Sequence, residues 1–285
     1  MDNFNGDQPL DQRVITKLVA DADRFELVVR DGHKVAAVFA RGMVLILRRF
    51  CPAALSKFCS AEAGPSVRLP FLGSPFGPPS TPDAAYLGIV QPAITDFKEA
   101  LVSGDVARAV KALGATGILT KDDDPQKELR DLEVKLARTR GTWRLEFLPQ
   151  LAKLAFWTGD TGKAEEYATE AVRLEPPGDP ASDGEATHDG NMVLGLIALQ
   201  RGDTEKAKAC LRESSRTNGG GYISMTGPNL SLAGELLKRN EREVVIQYLQ
   251  ECQRFWAQGR KTLDSWIEKI RSGDDPQLDP LHFGV

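Results

Sequence analysis

The sequence predicts a mainly α-helical fold, in which helical hairpins repeat along the chain and stack into a solenoid. Residues 158–164 recur in altered form as residues 201–207, and each copy places Gly-Asp between two segments of helical periodicity. In both copies an alanine, Ala164 or Ala207, follows the aspartate by four residues. A small side chain at a fixed distance from a turn is typical of two helices that cross closely. A repeat of such hairpins determines the architecture of the whole chain.

Composition and charge are those of an ordinary globular protein. The chain has 285 residues, of which 41% are hydrophobic and 27% are charged, enough for one large or two modest domains with a buried core. The formal charge of −4 creates no global basic field, so we expect no nucleic-acid partner. No stretch reaches the ~18 apolar residues of a membrane-spanning helix, so we expect no membrane span.

The four cysteines are too few for a disulfide scaffold in a chain of this length. We therefore expect reduced, mostly buried thiols and a cytoplasmic protein. An exported or periplasmic protein is the alternative, because two weak export signals occur. Residues 48–50 (Arg-Arg-Phe) resemble a twin-arginine signal, and residues 55–59 resemble a lipoprotein box.

The N-terminal segment, residues 1–63, has no clear fold in the sequence. A polar lead and a short helical stretch occupy residues 1–22. Phe25, Leu27 and Val29 then alternate with polar neighbours, and Asp31-Gly32 fits a hairpin turn. With the β-prone stretches at 35–39 and 44–47, this pattern predicts a small β-meander. A helix over residues 34–50 is the alternative.

Residues 64–82 are rich in proline and glycine, a composition that predicts a linker between the N-terminal segment and the rest. Residues 83–144 then form a helical region, with a candidate degenerate repeat around Gly104-Asp105. From residue 145 the pattern is regular, and three units of 34 residues run over 145–178, 188–221 and 226–259, with turns at Gly159-Asp160, Gly202-Asp203 and Asn240-Glu241. Residues 262–270 predict an amphipathic helix that caps the repeats, so that the repeat domain extends to residue 272 and a tail occupies 273–285.

Small residues in these units fall where two helices approach, and larger apolar residues fill the seam between hairpins. Leu194-Gly195 stands early in the second unit, and Pro176 follows the second helix of the first. In these features residues 145–259 resemble the tetratricopeptide repeat (TPR) family, although the early Trp of that family is absent from all three units. The resemblance implies a TPR-like α-solenoid that binds another protein or a peptide.

The resemblance also implies where a partner would bind, because the first helix of each TPR unit lines a groove. The groove positions that carry over are Lys153, Phe156, Trp157, Met192, Leu196, Gln200 and Lys238. This mixture of apolar and charged side chains suits an extended peptide or a helix. The alternative is that Phe156, Trp157 and Leu199 pack against the preceding helices at 126–140.

No residue pattern argues for catalysis. The stretch 159–163 lacks the spacing of a phosphate-binding loop, and Ala164 replaces its hydroxyl residue. The acidic loop that begins at Asp179 has Ala181 and Gly190 where calcium requires carboxylates. The three histidines lack zinc-site spacing. We therefore expect a non-enzymatic adaptor or assembly module without cofactor or metal. The alternatives are a regulatory subunit, or an exported envelope-assembly protein that uses the repeats for docking.

Overall fold

The computed structural model describes residues 10–30, 36–60, 84–119, 123–175, 184–217, 219–276 and 278. Within these ranges the chain is mainly helical and contains no strand, as the sequence predicted for most of its length. Short 3-10 helices lie at Gly141–Glu146 and Ala257–Gly259. The α-helices are α1 (Gln12–Arg30), α2 (Ala36–Phe50), α3 (Pro52–Ser60), α4 (Ala84–Ser103), α5 (Val106–Ala115), α6 (Pro125–Ala137), α7 (Leu148–Trp157), α8 (Thr161–Leu174), α9 (Glu185–Gln200), α10 (Thr204–Ser214), α11 (Gly221–Thr226), α12 (Ser231–Lys238), α13 (Arg242–Cys252) and α14 (Arg260–Arg271).

The predicted N-terminal β-meander is wrong, because α1 and α2 occupy most of its residues. Leu18, Ala22 and Phe25 are buried along one face of α1, whereas Leu27 is 51% exposed. The buried residues are spaced by four and three residues, which matches the helical period. The alternation that begins at Phe25 therefore did not indicate a strand. In α2 the helical alternative for residues 34–50 is confirmed over Ala36–Phe50.

Several predictions fall outside the described residues. They are the hairpin turn at Asp31-Gly32, the linker at 64–82, the loop residues 179–183 and most of the tail from residue 279. None of the helices in the described ranges combines the length and the apolar character that crossing a bilayer requires.

The chain divides into two compact units. The first consists of Met1–Arg130 with Trp157–Gly159, and the second of Asp131–Phe156 with Asp160–Val285. In the first unit, α1 packs against α2 and α4, α4 packs against α5, and α3 packs against α2 and α5. The α3–α5 contact depends on Gly114, since a Cβ there would lie 2.1 Å from the ring of Phe58.

In the second unit, α9 is the central helix. It packs against α8, α10 and α12, while α13 contacts α10, α12 and α14. Gly195 allows this close approach, because a Cβ at that position would lie 2.2 Å from the Leu232 side chain and 3.1 Å from Cys210 Cβ. Ala164 and Ala207, the small residues after the two predicted turns, are fully buried. The predicted capping helix is confirmed as an amphipathic helix, α14, which buries Leu263, Trp266, Ile267 and Ile270.

One type of turn joins four successive helix pairs, at the positions where the sequence predicted turns. Its first residue has a left-handed backbone, with φ of 78° at Gly104, 87° at Gly159, 80° at Gly202 and 63° at Asn240. The next backbone N–H donates to a carbonyl five residues earlier: Ala100, Ala155 and Ala198 at 2.9 Å, and Leu236 at 3.0 Å. In the first three copies the aspartate also caps the following helix, through Asp105, Asp160 and Asp203. The fourth copy has Glu241, which makes no side-chain cap bond.

Candidate protein-interaction surface

The predicted groove residues lie on three helices. Lys153, Phe156 and Trp157 are on α7, and Lys238 ends α12. Met192, Leu196 and Gln200 are spaced by four residues on α9 and therefore share one face of that helix.

The apolar members of this set contribute to the core of the second unit. Met192 is 0% exposed and Leu196 is 9% exposed, and both belong to a buried cluster that also contains Leu199, Leu230 and Leu237. Phe156 is partly buried and packs against this cluster. The structure thus brings Phe156, Met192 and Leu196 into one apolar body, whose formation removes them from water.

Lys153 forms an ion pair with Asp189 of α9, with 2.5 Å between Lys153 Nζ and Asp189 Oδ2. The side chains are 16% and 7% exposed, respectively. Burial raises the pKa of the Asp189 carboxyl group, but the adjacent Lys153 ammonium and the other polar groups around the carboxylate together outweigh burial, and the pKa lies below its usual value. A buried pair of this kind is costly to break, because removing one partner leaves an uncompensated charge.

The remaining predicted residues lie nearer to solvent. Gln200, at the end of α9, is exposed, and Trp157 is half-buried. Lys238 is exposed and pairs with Glu235 of the same helix, at 2.8 Å between Nζ and Oε1. Gln200 and Lys238 are therefore the two predicted positions whose residues are exposed to solvent.

A buried polar junction centred on His188 was not predicted. The ring is 1% exposed, its Nδ1 lies 3.0 Å from the carbonyl oxygen of Ser214, and its Nε2 accepts the backbone N–H of Asn229 at 2.9 Å. Because Nε2 must accept and the carbonyl can only accept, the imidazole is neutral with its proton on Nδ1. Burial lowers the pKa of His188 and favours this neutral form.

The junction ties together segments that are distant in the sequence. Tyr248 of α13 donates its hydroxyl proton to the carbonyl of Asn229 at 3.1 Å and stacks on the His188 ring with centroids 6.4 Å apart. At the other end of the loop before α9, Glu175 accepts the backbone N–H groups of Gly184 and Thr187 at 3.1 and 2.6 Å. These contacts set the position of α9 relative to its neighbours.

Sequence reasoning missed this junction because its partners are mostly backbone groups. The atoms that His188 contacts lie 26 and 41 residues away along the chain. No spacing of side chains marks them, and His188 itself stood in a polar stretch that resembled a solvated loop. The only available signal was a histidine at the start of a strongly apolar helical segment.

The cysteines agree with the prediction of reduced, buried thiols: Cys51, Cys59, Cys210 and Cys252 are all buried, and none of them forms a disulfide. Burial, followed by the nearby Asp124 carboxylate, raises the pKa of Cys59 to about 11. A thiol with a raised pKa is a poor nucleophile at neutral pH. Among the described residues, no three His, Cys, Asp or Glu side chains are grouped closely enough to hold a metal ion.

No family model matches this chain, and no curated protein or solved structure matches it either. The resemblance to TPR proteins therefore depends on the residues of this sequence alone.

Proposed function

We propose that this protein is a non-enzymatic adaptor or assembly module. In this proposal, residues 145–272 form a TPR-like α-solenoid that binds another protein as an extended peptide or a helix. The main support is the single turn type that recurs after α4, α7, α9 and α12. Recurrent helix pairs with one linking geometry are the building unit of repeat proteins, whose extended surfaces bind partners.

Ion pairs between successive hairpins of the second unit also favour a serial arrangement. Lys163 of α8 pairs with Glu133 of α6, and Arg201, after α9, pairs with Glu165 of α8 through two bonds of 2.8 and 2.6 Å. Lys208 of α10 pairs with Glu241, before α13, at 3.2 Å. Exposed pairs contribute little stability, so their value to the proposal is geometric: each links one hairpin to the next.

The proposed binding surface consists of the groove residues given above that belong to the second unit, and these residues have unequal roles. Gln200 and Lys238 are exposed and would contact the partner directly. Phe156 is partly buried and would offer an apolar edge, and Met192 and Leu196 would form the floor beneath it. Lys153 would act through its pairing with Asp189. Trp157 belongs to the first unit and is left out of the proposed surface.

Site-specific photocrosslinking in the native host tests this proposal. A photoreactive amino acid at position 200 should yield adducts with a discrete partner segment, identified by mass spectrometry. The same amino acid at position 209, an exposed site on α10, is the matched control. Equal adduct patterns from positions 200 and 209 would count against a binding surface at the end of α9.

We also propose that the protein is cytoplasmic, with export as the alternative. Four buried thiols without a disulfide are usual in reducing compartments. The intact mass of the protein purified from its host checks this. An N-terminus cleaved near Cys59, with a lipid attached, would favour the exported alternative instead.

A further inference from the structure

Exposed aromatic, aliphatic and cationic side chains occupy the last turn of α6 and the segment that joins it to α7. They are Val134, Lys135, Arg138, Arg140 and Trp143, and we call them the Trp143 patch. Trp143 is 76% exposed and Val134 is 53% exposed. Among the described residues, Trp143 is the most exposed large hydrophobic side chain. All five residues belong to the second unit.

Arg144 holds the backbone of this segment in place. Its Nε and Nη2 donate to the two carboxylate oxygens of Glu170 on α8, at 2.5 and 2.8 Å. Its Nη1 donates to the carbonyl oxygens of Leu136 and Thr139, at 3.2 and 3.4 Å. These bonds tie the end of α6 and the following 3-10 helix to α8. The exposure of Trp143 is thus imposed by a fixed backbone, and an anchor that is already ordered loses less entropy on binding.

The charges of the patch are of one sign. Residues 134–145 contain one lysine and three arginines and no acidic residue, although the whole chain has a net charge of −4. Lys135, Arg138 and Arg140 are exposed, and no hydrogen bond or ion pair engages their side chains within the described part of the chain. Lys135 and Arg138 also suit the negative end of the α6 dipole, but that effect explains neither Arg140 nor the exposed Trp143.

We propose that the Trp143 patch binds an acidic peptide segment of a partner protein, with one apolar residue of that segment packed on Trp143. Tryptophan and arginine are the side chains most often responsible for affinity at protein interfaces. The three cations would attract a segment of opposite charge and orient it. The inference rests on the proposed function, because it assigns a partner chemistry to the second unit, but it uses residues outside the proposed groove.

A defined probe tests the chemistry directly. The probe is a dye-labelled peptide of about twelve residues, in which a central Leu-Phe pair is flanked by glutamates, and binding to the full chain is followed by fluorescence anisotropy. We expect saturable binding that weakens as salt is raised, since screening reduces attraction between exposed charges. Trp143→Ala should weaken binding about tenfold, and Arg138→Glu with Arg140→Glu should abolish it.

Matched controls separate the patch from general charge effects. Lys269→Glu with Arg271→Glu changes the net charge equally on the exposed side of α14 and should leave binding unchanged. The Tm should change little in any variant, because every substituted residue is exposed and an exposed charge near a helix end contributes at most about 1 kcal/mol. A probe with serines in place of Leu-Phe should bind to wild type more weakly than the original probe does. Trp143→Ala should bind the two probes equally. Equal binding of both probes to wild type would overturn the role of Trp143.

Other anionic ligands are outcomes that contradict the proposal. The same variants are tested with phosphatidylserine vesicles and with a single-stranded oligonucleotide. If the peptide does not bind but the vesicles bind through Arg138 and Arg140, the patch is a lipid-binding surface. If only the oligonucleotide binds in this way, the patch is a nucleic-acid surface. The crosslinks at position 200 show whether the acidic-segment proposal alone fails or the proposed adaptor function fails with it. If they persist while the peptide probe fails, only the acidic-segment proposal falls; if they are absent, the adaptor function itself is in question.

Discussion

At the scale of single residues, His188 is the best example of a side chain whose role comes from its surroundings. Its neutral ring accepts a hydrogen bond from Asn229 and donates one to Ser214. Protonation would replace the acceptor with a second donor aimed at an N–H group. Near the ring, Asp189 favours protonation, whereas Lys153 and, above all, burial oppose it. The fold therefore requires the uncharged form.

This requirement predicts a pH-dependent stability. Burial lowers the pKa of His188, so below about pH 6.5 the unfolded chain binds a proton that the folded chain does not. The contribution of His188 to the free energy of unfolding should be fully present above that pH. It should fall as the pH drops toward the folded-state pKa, by at most about 1.4 kcal/mol per pH unit. Urea unfolding from pH 8 to pH 5 measures it.

The variant His188→Gln provides the comparison for this prediction. Its amide can still accept and donate but does not titrate, so the pH slope between about pH 6.5 and 5 should decrease. The lowered pKa of Asp189 acts only in more acid solution, below its ordinary value of about 3.9. An unchanged slope in His188→Gln would show that other groups cause the pH dependence.

Gly195 is a second residue whose importance is spatial. A methyl group there would lie 2.2 Å from Leu232 and 3.1 Å from Cys210 Cβ. We expect Gly195→Ala to destabilise the protein by about 1–3 kcal/mol, the usual effect of overpacking. Gly162→Ala is the matched control, since its nearest neighbour would be Asp160 Oδ1 at 3.6 Å, and it should be neutral or stabilising by up to about 1 kcal/mol. Thermal and urea unfolding measure the stability of both variants. Equal changes in the free energy of unfolding for Gly195→Ala and Gly162→Ala would contradict this expectation.

At the scale of elements, the turn between two helices combines backbone geometry with a cap. Glycine adopts the left-handed backbone that the turn needs, and the aspartate then satisfies an unpaired N–H group of the next helix. The fourth copy uses Asn240 and Glu241 and lacks the side-chain cap. The turn geometry therefore persists when its cap is absent.

The cap should nevertheless contribute measurable stability. Asp203→Ala removes the acceptor of the Lys206 N–H, which lies 2.9 Å from Asp203 Oδ1, and should cost about 1 kcal/mol. Asp160→Ala should cost a similar amount, because it caps α8 in the same way. Glu241→Ala removes no cap and should have a smaller effect on unfolding by urea. A larger loss from Glu241→Ala than from Asp203→Ala would contradict the assigned role of the cap.

At the scale of the whole molecule, α9 is the buried centre of the second unit. Nearly every residue from Ala186 to Leu199 is buried, because α8, α10 and α12 cover this helix on several sides. The second half of α9, Met192–Leu199, is apolar on all faces, as is usual for a helix in the interior of a protein. The stability of this unit should therefore depend more on α9 than on the peripheral helix α14, which has an exposed face.

Hydrogen exchange measures this difference. Backbone amides in the centre of α9 should exchange most slowly in the second unit, because they become accessible only when the unit opens as a whole. Amides on the exposed face of α14 should exchange faster, through local opening. Mass spectrometry of peptides from the two helices provides the comparison. Equal protection in α9 and α14 would mean that the unit opens in a single step from either helix.

The sequence by itself determined the helical character from residue 84 onward, the four turns, the buried cysteines and the terminal amphipathic helix. These features depend on local chemistry: glycine conformation, aspartate caps and the period of apolar residues. Only the tertiary structure decided that the end of α1 and the whole of α2 are helical and not β-strands, that Met192 and Leu196 are buried, that His188 links backbone groups far apart in the chain, and that Trp143 is held exposed by Arg144. Each of these depends on which distant surfaces meet, because burial and hydrogen bonding are decided by three-dimensional neighbours that sequence spacing does not record.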